Sequence, residues 1–136
     1  MTLRSVVDDL EKKDTKEIIQ TSEKETVQVI QDVQQWQNVL RQDTFTIVMM
    51  TATWCRPCKT ILPFFSDLAG QWSKKKAPAV FCFVDVDELD AIANEYKISM
   101  MPTFLILREG KQMDKYSGSD AARLRQILER HLENEN

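Results

Sequence analysis

The residues of this chain best suited to chemistry are Cys55 and Cys58, set in the string Trp54-Cys55-Arg56-Pro57-Cys58. They follow an apolar, β-branched run from Phe45 to Thr51 that has the length of a strand buried on both faces. They precede Ile61, Leu62, Phe65, Leu68, Ala69 and Trp72, which keep helical spacing. A cysteine at such a strand-to-helix junction sits at the positive end of the helix dipole, beside backbone N–H groups that lack partners, and this stabilises a thiolate. Cys55 then reads as a nucleophile. Cys58, one helical turn further on, is within reach of a mixed disulfide on Cys55 and can displace the bound partner. Pro57 suits the first turn, where the donor it lacks would have no acceptor. Trp54 supplies an apolar lid beside the sulfur and a surface for extended clients.

The same cysteine spacing is half of a zinc ligand set, but only Cys82 and His131 remain as further soft or imidazole ligands, with no second paired spacing. An iron–sulfur cluster shared by two chains needs two cysteines from each and stays open. Cys82 lies between Phe81 and Phe83 in an apolar strand and reads as a buried hydrophobe. Three cysteines, two of them adjacent in the chain, do not make a secreted disulfide scaffold.

These residues need a scaffold, and 136 residues supply one domain. With 43% apolar and 29% charged residues the chain can bury a core, which excludes wholesale disorder and fibrous structure. Eighteen basic against twenty-one acidic residues leave a net charge of −3, which argues against nucleic acid as partner. The longest apolar runs, such as Ile47 to Met50, are far too short to span a bilayer, so no membrane role is expected. The charged N-terminus has neither a secretory apolar core nor the acid-poor composition of a transit peptide. A cytoplasmic location is expected, or a mitochondrial or plastid matrix if a presequence has been removed.

Along the chain, Leu3, Val6, Val7 and Leu10 allow a short amphipathic helix within a charged extension over residues 1–24, ahead of a domain over 25–136. Thr26 to Ile30 reads as a short strand. Asp32 then caps a helix that presents Val33, Trp36 and Leu40 on one face, with Gln35 placed for reciprocal capping. Pro63 should kink the helix after Cys58, and Gly70 with the Ser73-to-Lys76 run should end it. Ala79 to Val86 is a second buried strand, and Asp87 caps a helix bearing Leu89, Ile92, Ala93 and Tyr96. Thr103 to Leu107 and Gln112 to Tyr116 form a hairpin about Glu109-Gly110. A last helix buries Leu124, Ile127, Leu128 and Leu132. The order β-α-β-α-β-α-β-β-α implies an α/β fold, a mixed central sheet with helices on both faces.

From about Thr26 to Leu132 the sequence resembles the thioredoxins. The resemblance rests on Ala52-Thr53-Trp54-Cys55, Pro57-Cys58-Lys59, Pro63, Val84-Asp85-Val86-Asp87, Met101-Pro102-Thr103-Phe104, Gly110 and Ser117-Gly118. It implies a thioredoxin fold and a protein-disulfide reductase that needs no cofactor beyond a redox-active Cys55–Cys58 disulfide. Its partners would be disulfide-containing clients and a thioredoxin reductase or other thiol electron donor. It also implies a cis peptide bond at Met101-Pro102 facing the sulfurs, and a client surface of Trp54, Arg56, Pro57, Met101, Pro102 and Gly118. Three positions depart from the family. Arg56 replaces a usual glycine; it either favours the thiolate through its charge or changes partner choice as a solvated side chain. Met49 and Phe83 replace a buried Asp and Lys assigned to activating the second cysteine, and Thr51 stands where an aromatic is common. That loss supports a second reading, a client-binding adaptor or chaperone with weak or no reductase activity.

Overall fold

The computed structural model describes residues 27–74 and 79–133. Five strands, β1 (Val27–Val29), β2 (Phe45–Thr51), β3 (Ala79–Asp85), β4 (Thr103–Arg108) and β5 (Lys111–Ser117), form one sheet in the order β1-β3-β2-β4-β5. β1 and β2 run parallel to β3, whereas β4 lies antiparallel to both β2 and β5. Among the described residues the helices are α1 (Val33–Leu40), α2 (Arg56–Lys74), α3 (Asp90–Glu95) and α4 (Ala121–Leu132). This is the expected element order, a mixed sheet flanked by helices.

All seven residues of β2 are buried, as its unbroken apolar run requires of the central strand. Side chains alternate between two cores. Ile47 and Met49 join Phe65 and Leu128 on the α2/α4 face, while Val48 and Met50 join Trp36, Cys82 and Tyr96 on the α1/α3 face. Phe65 of α2 meets the rings of Phe81, Phe83 and Phe104 at centroid distances of 5.7, 5.4 and 5.6 Å. These contacts seat α2, and with it the cysteines at its start, on β3 and β4, the two strands that flank the central β2.

Asp32 caps α1 by accepting the Gln35 N–H at 2.8 Å, and the Gln35 side chain reaches back to the Gln31 N–H at 2.8 Å. The buried face differs from expectation. Trp36 and Val39 are buried and Leu40 packs against the same core, whereas Val33 is 44% exposed. Gly70 does not stop α2, which runs on to Lys74; a Cβ there would meet nothing within 4 Å, so the position is neither a cap nor a close approach. Pro63 lies inside this helix. Asp87 caps nothing: α3 begins at Asp90 after Leu89 with no side-chain cap. The helix proposed around Leu3 to Leu10 and the Lys75-Lys76 part of the α2 end signal lie outside the described residues.

At the start of α4, the Asp120 carboxylate accepts from the N–H groups of Ala122 and Arg123. At its other end His131 Nε2 lies 3.0 Å from Asp114 Oδ2 of β5, and Arg130 stands 3.7 Å from the same oxygen. On the opposite face Tyr96 donates its hydroxyl to the Gly110 carbonyl at 2.9 Å, tying the end of α3 to the hairpin turn. Burial, with the Glu95 charge in support, pushes the Tyr96 hydroxyl up to about 12.

Candidate active site

Two loops and one helix start converge at one end of the sheet. After β2 the chain turns through Ala52, whose carbonyl accepts the Cys55 N–H at 3.1 Å, and α2 begins at the next residue, Arg56. Cys55 and Cys58 form a disulfide with their Cα atoms 5.3 Å apart. Cys55 Sγ also accepts the Cys58 N–H at 3.2 Å, so the sulfur occupies the place of a helix-capping oxygen. In this state Cys55 is 3% exposed and Cys58 is wholly buried. Arg56 and Pro57 are exposed on the first turn beside them.

Trp54 is 65% exposed, and its Nε1 donates to Asp87 Oδ2 at 2.8 Å. Asp87 is in turn placed by Asp85, whose Oδ1 accepts the Asp87 N–H at 2.9 Å. The sequence reading missed this role. Asp87 sits two residues before Leu89 and looks like a cap, and only a partner 33 positions away in the chain claims its carboxylate instead. The loop before β4 supplies the third part. The Met101–Pro102 peptide bond is cis, Met101 packs against the core that holds both cysteines, and the Pro102 carbonyl accepts the Gly118 N–H at 3.1 Å. Gly118 has φ +150°, and a Cβ there would lie 2.7 Å from the Tyr116 hydroxyl, so only glycine fits between that ring and the proline loop.

The loops that carry the expected residues leave the same end of the sheet: Met50 pairs with Thr103, and Thr103 with Ser117. Cys82 does not join them: it is buried in the α1/α3 core, across the sheet from the pair. His131 is held at Asp114 and beside the Phe45 ring. The four potential zinc ligands are thus kept apart, and among the described residues no group of three or more His, Cys, Asp or Glu converges.

The thioredoxin family model matches residues 12–130. The chain belongs to the thioredoxin family. Thioredoxin H1 of Arabidopsis thaliana is 41% identical over 99 residues, covering 73% of this chain and 83% of that protein. The H-type thioredoxin of Ricinus communis is 42% identical over 105 residues, covering 74% and 85%. Among solved structures, the thioredoxin of Malassezia sympodialis superposes with a TM-score of 0.72 at 35% identity, covering 77% of this chain and 90% of that one. With its disulfide-forming cysteine pair, this thioredoxin is a thiol–disulfide oxidoreductase that reduces protein disulfides.

One departure from the family's usual pattern is now located. Met49 and Phe83 are direct neighbours in the β2–β3 register, and both are buried on the face that holds Cys58. In this thioredoxin the usual buried ion pair is replaced by a thioether and a phenyl ring in contact with the core. Neither can carry a proton, and neither incurs the desolvation cost of a buried charge.

Proposed function

We propose that Cys55 is the attacking and Cys58 the resolving cysteine, with clients lying across Trp54, Arg56, Pro57, Met101, Pro102 and Gly118. The observation that carries this is the asymmetry of the pair: Cys55 Sγ faces the first N–H groups of α2, while Cys58 is sealed behind it. The Cys55 thiolate attacks a client sulfur, forming a mixed disulfide and releasing the other client sulfur as a thiolate, which takes a proton. Deprotonated Cys58 then attacks Cys55 Sγ, re-forming the Cys55–Cys58 disulfide and freeing the second client sulfur. Two electrons pass to the client in all. A thioredoxin reductase or another dithiol donor returns them, and no further cofactor takes part. The setting is the cytoplasm; no described helix is long and apolar enough to cross a membrane. Residues 1–24 are proposed as an extension to a domain over 25–136; the family match reaches back to residue 12.

Insulin reduction tests the whole reading. The wild type should precipitate insulin chains in the presence of dithiothreitol, and iodoacetamide at neutral pH should modify Cys55 of the reduced protein before Cys58. Equal alkylation rates would remove the assigned roles. Failure to reduce insulin, together with function that survives Cys55→Ser, would make the chain a client-binding adaptor instead.

A further inference from the structure

Methionine is distributed unevenly over the described residues. Met49 and Met50 are completely buried, and Met101 is half-covered by the core beneath the disulfide. Met100 and Met113 are exposed, by 60% and 46%. Met100 immediately precedes Met101-Pro102, and its backbone is anchored: its carbonyl accepts the Thr103 hydroxyl at 2.6 Å. Thr103 is itself buried and shares a 2.7 Å hydrogen bond with Ser117 Oγ at the start of the Gly118 loop. The backbone that carries this exposed thioether is thereby held next to the Met101-Pro102 stretch assigned above to the client surface. Met113 lies four residues from Ser117 along β5, which places it roughly 13 Å further down the strand.

We propose that Met100 is a modification site for hydroperoxides, and that its oxidation weakens client docking at the adjacent disulfide. The sulfur of Met100 attacks one oxygen of the peroxide. An S–O bond forms, the O–O bond breaks, the thioether gives up two electrons to become a sulfoxide, and the peroxide leaves as water or an alcohol. The chemistry belongs to the oxidised form of the protein. With Cys55 and Cys58 joined and Cys82 wholly buried, neither thiolates nor thiols compete for peroxide, and the exposed reduced sulfur of the described residues is that of Met100 and Met113. A thioether needs no deprotonation, so this reactivity persists where cysteine chemistry is silent. The sulfoxide puts a strong acceptor dipole beside Met101 and Pro102 of the proposed client surface, and a client covering it with an apolar side chain must strip its water without offering a donor in return. The inference rests on the docking surface proposed above.

The test uses the full chain with its disulfide formed. It is treated with hydrogen peroxide, freed of peroxide and reduced with dithiothreitol. Tandem mass spectrometry locates the added oxygen, separating Met100 from Met101, and insulin reduction gives kcat and KM. Oxygen should appear on Met100 and Met113, with KM raised roughly five- to tenfold and kcat little changed. The rise should persist in Met113→Leu and be absent in Met100→Leu, whatever that variant's own starting KM; methionine sulfoxide reductase should reverse it. An unmodified Met100, a KM rise that survives in Met100→Leu, or a fully modified Met100 with unchanged KM each overturns the proposal. Trp54→Ala separates the two claims. If it raises KM while oxidised Met100 does not, this inference falls and the docking surface stands; if neither raises KM, both fall.

Discussion

Cys58 and Cys82 are both completely buried among aromatic and branched aliphatic side chains, but on opposite faces of the same sheet. Cys82 sits mid-strand in β3, where its backbone groups are committed to β1 and β2. Burial pushes its thiol far above the ordinary range, and no charge or donor is placed to oppose that. Cys58 sits in the first turn of α2, within bonding distance of a second cysteine that borders the surface. Burial therefore does not decide which sulfur reacts. Position at a helix start, where N–H groups are unclaimed, does.

The sharpest way to break this comparison is to remove the sulfurs one at a time. Cys55→Ser should bring insulin reduction down to background. Cys82→Ala should keep kcat/KM within about twofold, at a stability cost of about 1 kcal/mol for the small void it leaves. A large loss of turnover in Cys82→Ala would mean that the two faces are coupled. Iodoacetamide should leave Cys82 unmodified in the native protein and label it only after denaturant is added.

Next in size is the buried neighbour pair behind Cys58. Met49→Asp places a lone carboxylate against Phe83 and should destabilise the fold by roughly 3–5 kcal/mol at neutral pH. Desolvation raises the folded pKa of such a group above its unfolded value. The penalty therefore grows as pH rises from the unfolded pKa of about 3.9 to the raised folded pKa, and is small at pH ~4, where the folded acid is protonated and the unfolded one only about half ionised. The double variant Met49→Asp with Phe83→Lys should recover part of the loss. If proton removal from Cys58 limits turnover, both variants should release client faster; unchanged turnover would assign that proton to water or to the client. Denaturant melts at the two pH values and stopped-time insulin assays give both readings.

The smallest effect lies on the α2/α4 face but away from the disulfide. Partial burial opposes ionisation of Asp114, yet the His131 hydrogen bond, the Lys115 N–H and the charges of His131 and Arg130 outweigh it and hold the carboxyl below its usual value. Such a group stabilises the fold above its unfolded pKa of about 3.9, and the contribution is lost as pH falls through the lower folded pKa. Asp114→Asn should lower the unfolding midpoint by a few degrees near pH 7, and the gap to wild type should close in acid. Insulin reduction at neutral pH should not change. A parallel loss of activity would show that the chemistry of this face is not confined to the Cys55 end.

Much of the scaffold could be read from the sequence because its signals are local. β2 is a run of seven apolar or β-branched residues bounded by Asp43-Thr44 and Ala52, and it emerged with the expected ends. The inward stripe of α2, from Ile61 to Trp72, follows from periodicity alone. Misreadings occurred where a tertiary partner overruled a local preference. Asp87 has the form of a helix cap but is claimed by the Trp54 indole. Val33 fits the stripe of α1 but is left exposed, and Val39 is buried beside Trp36 instead. Gly70 looks like a stop, yet Leu68, Ala69 and Trp72 on either side are held by the core and carry the helix through it. Gly118 was legible only through family resemblance; its cause, the Tyr116 hydroxyl beneath it, is set by a ring that stacks on Phe104 across two strands.

The make-up of the outer strands bears on how the molecule behaves at high concentration. A sheet that ends in a long, flat strand invites lateral growth by another chain, the first step of aggregation. Here β5, an edge strand of the described sheet, carries Lys111, Asp114 and Lys115 along with a register irregularity opposite Ile106 and Leu107. The Lys115 ammonium folds back onto the carbonyls of Tyr96 and Lys97, at 3.4 and 3.2 Å, so an incoming strand would have to displace it. The β5 flank of the described sheet is thus guarded against self-templating, so that copies carrying an apolar, disulfide-bearing tip are kept from zipping together along that edge.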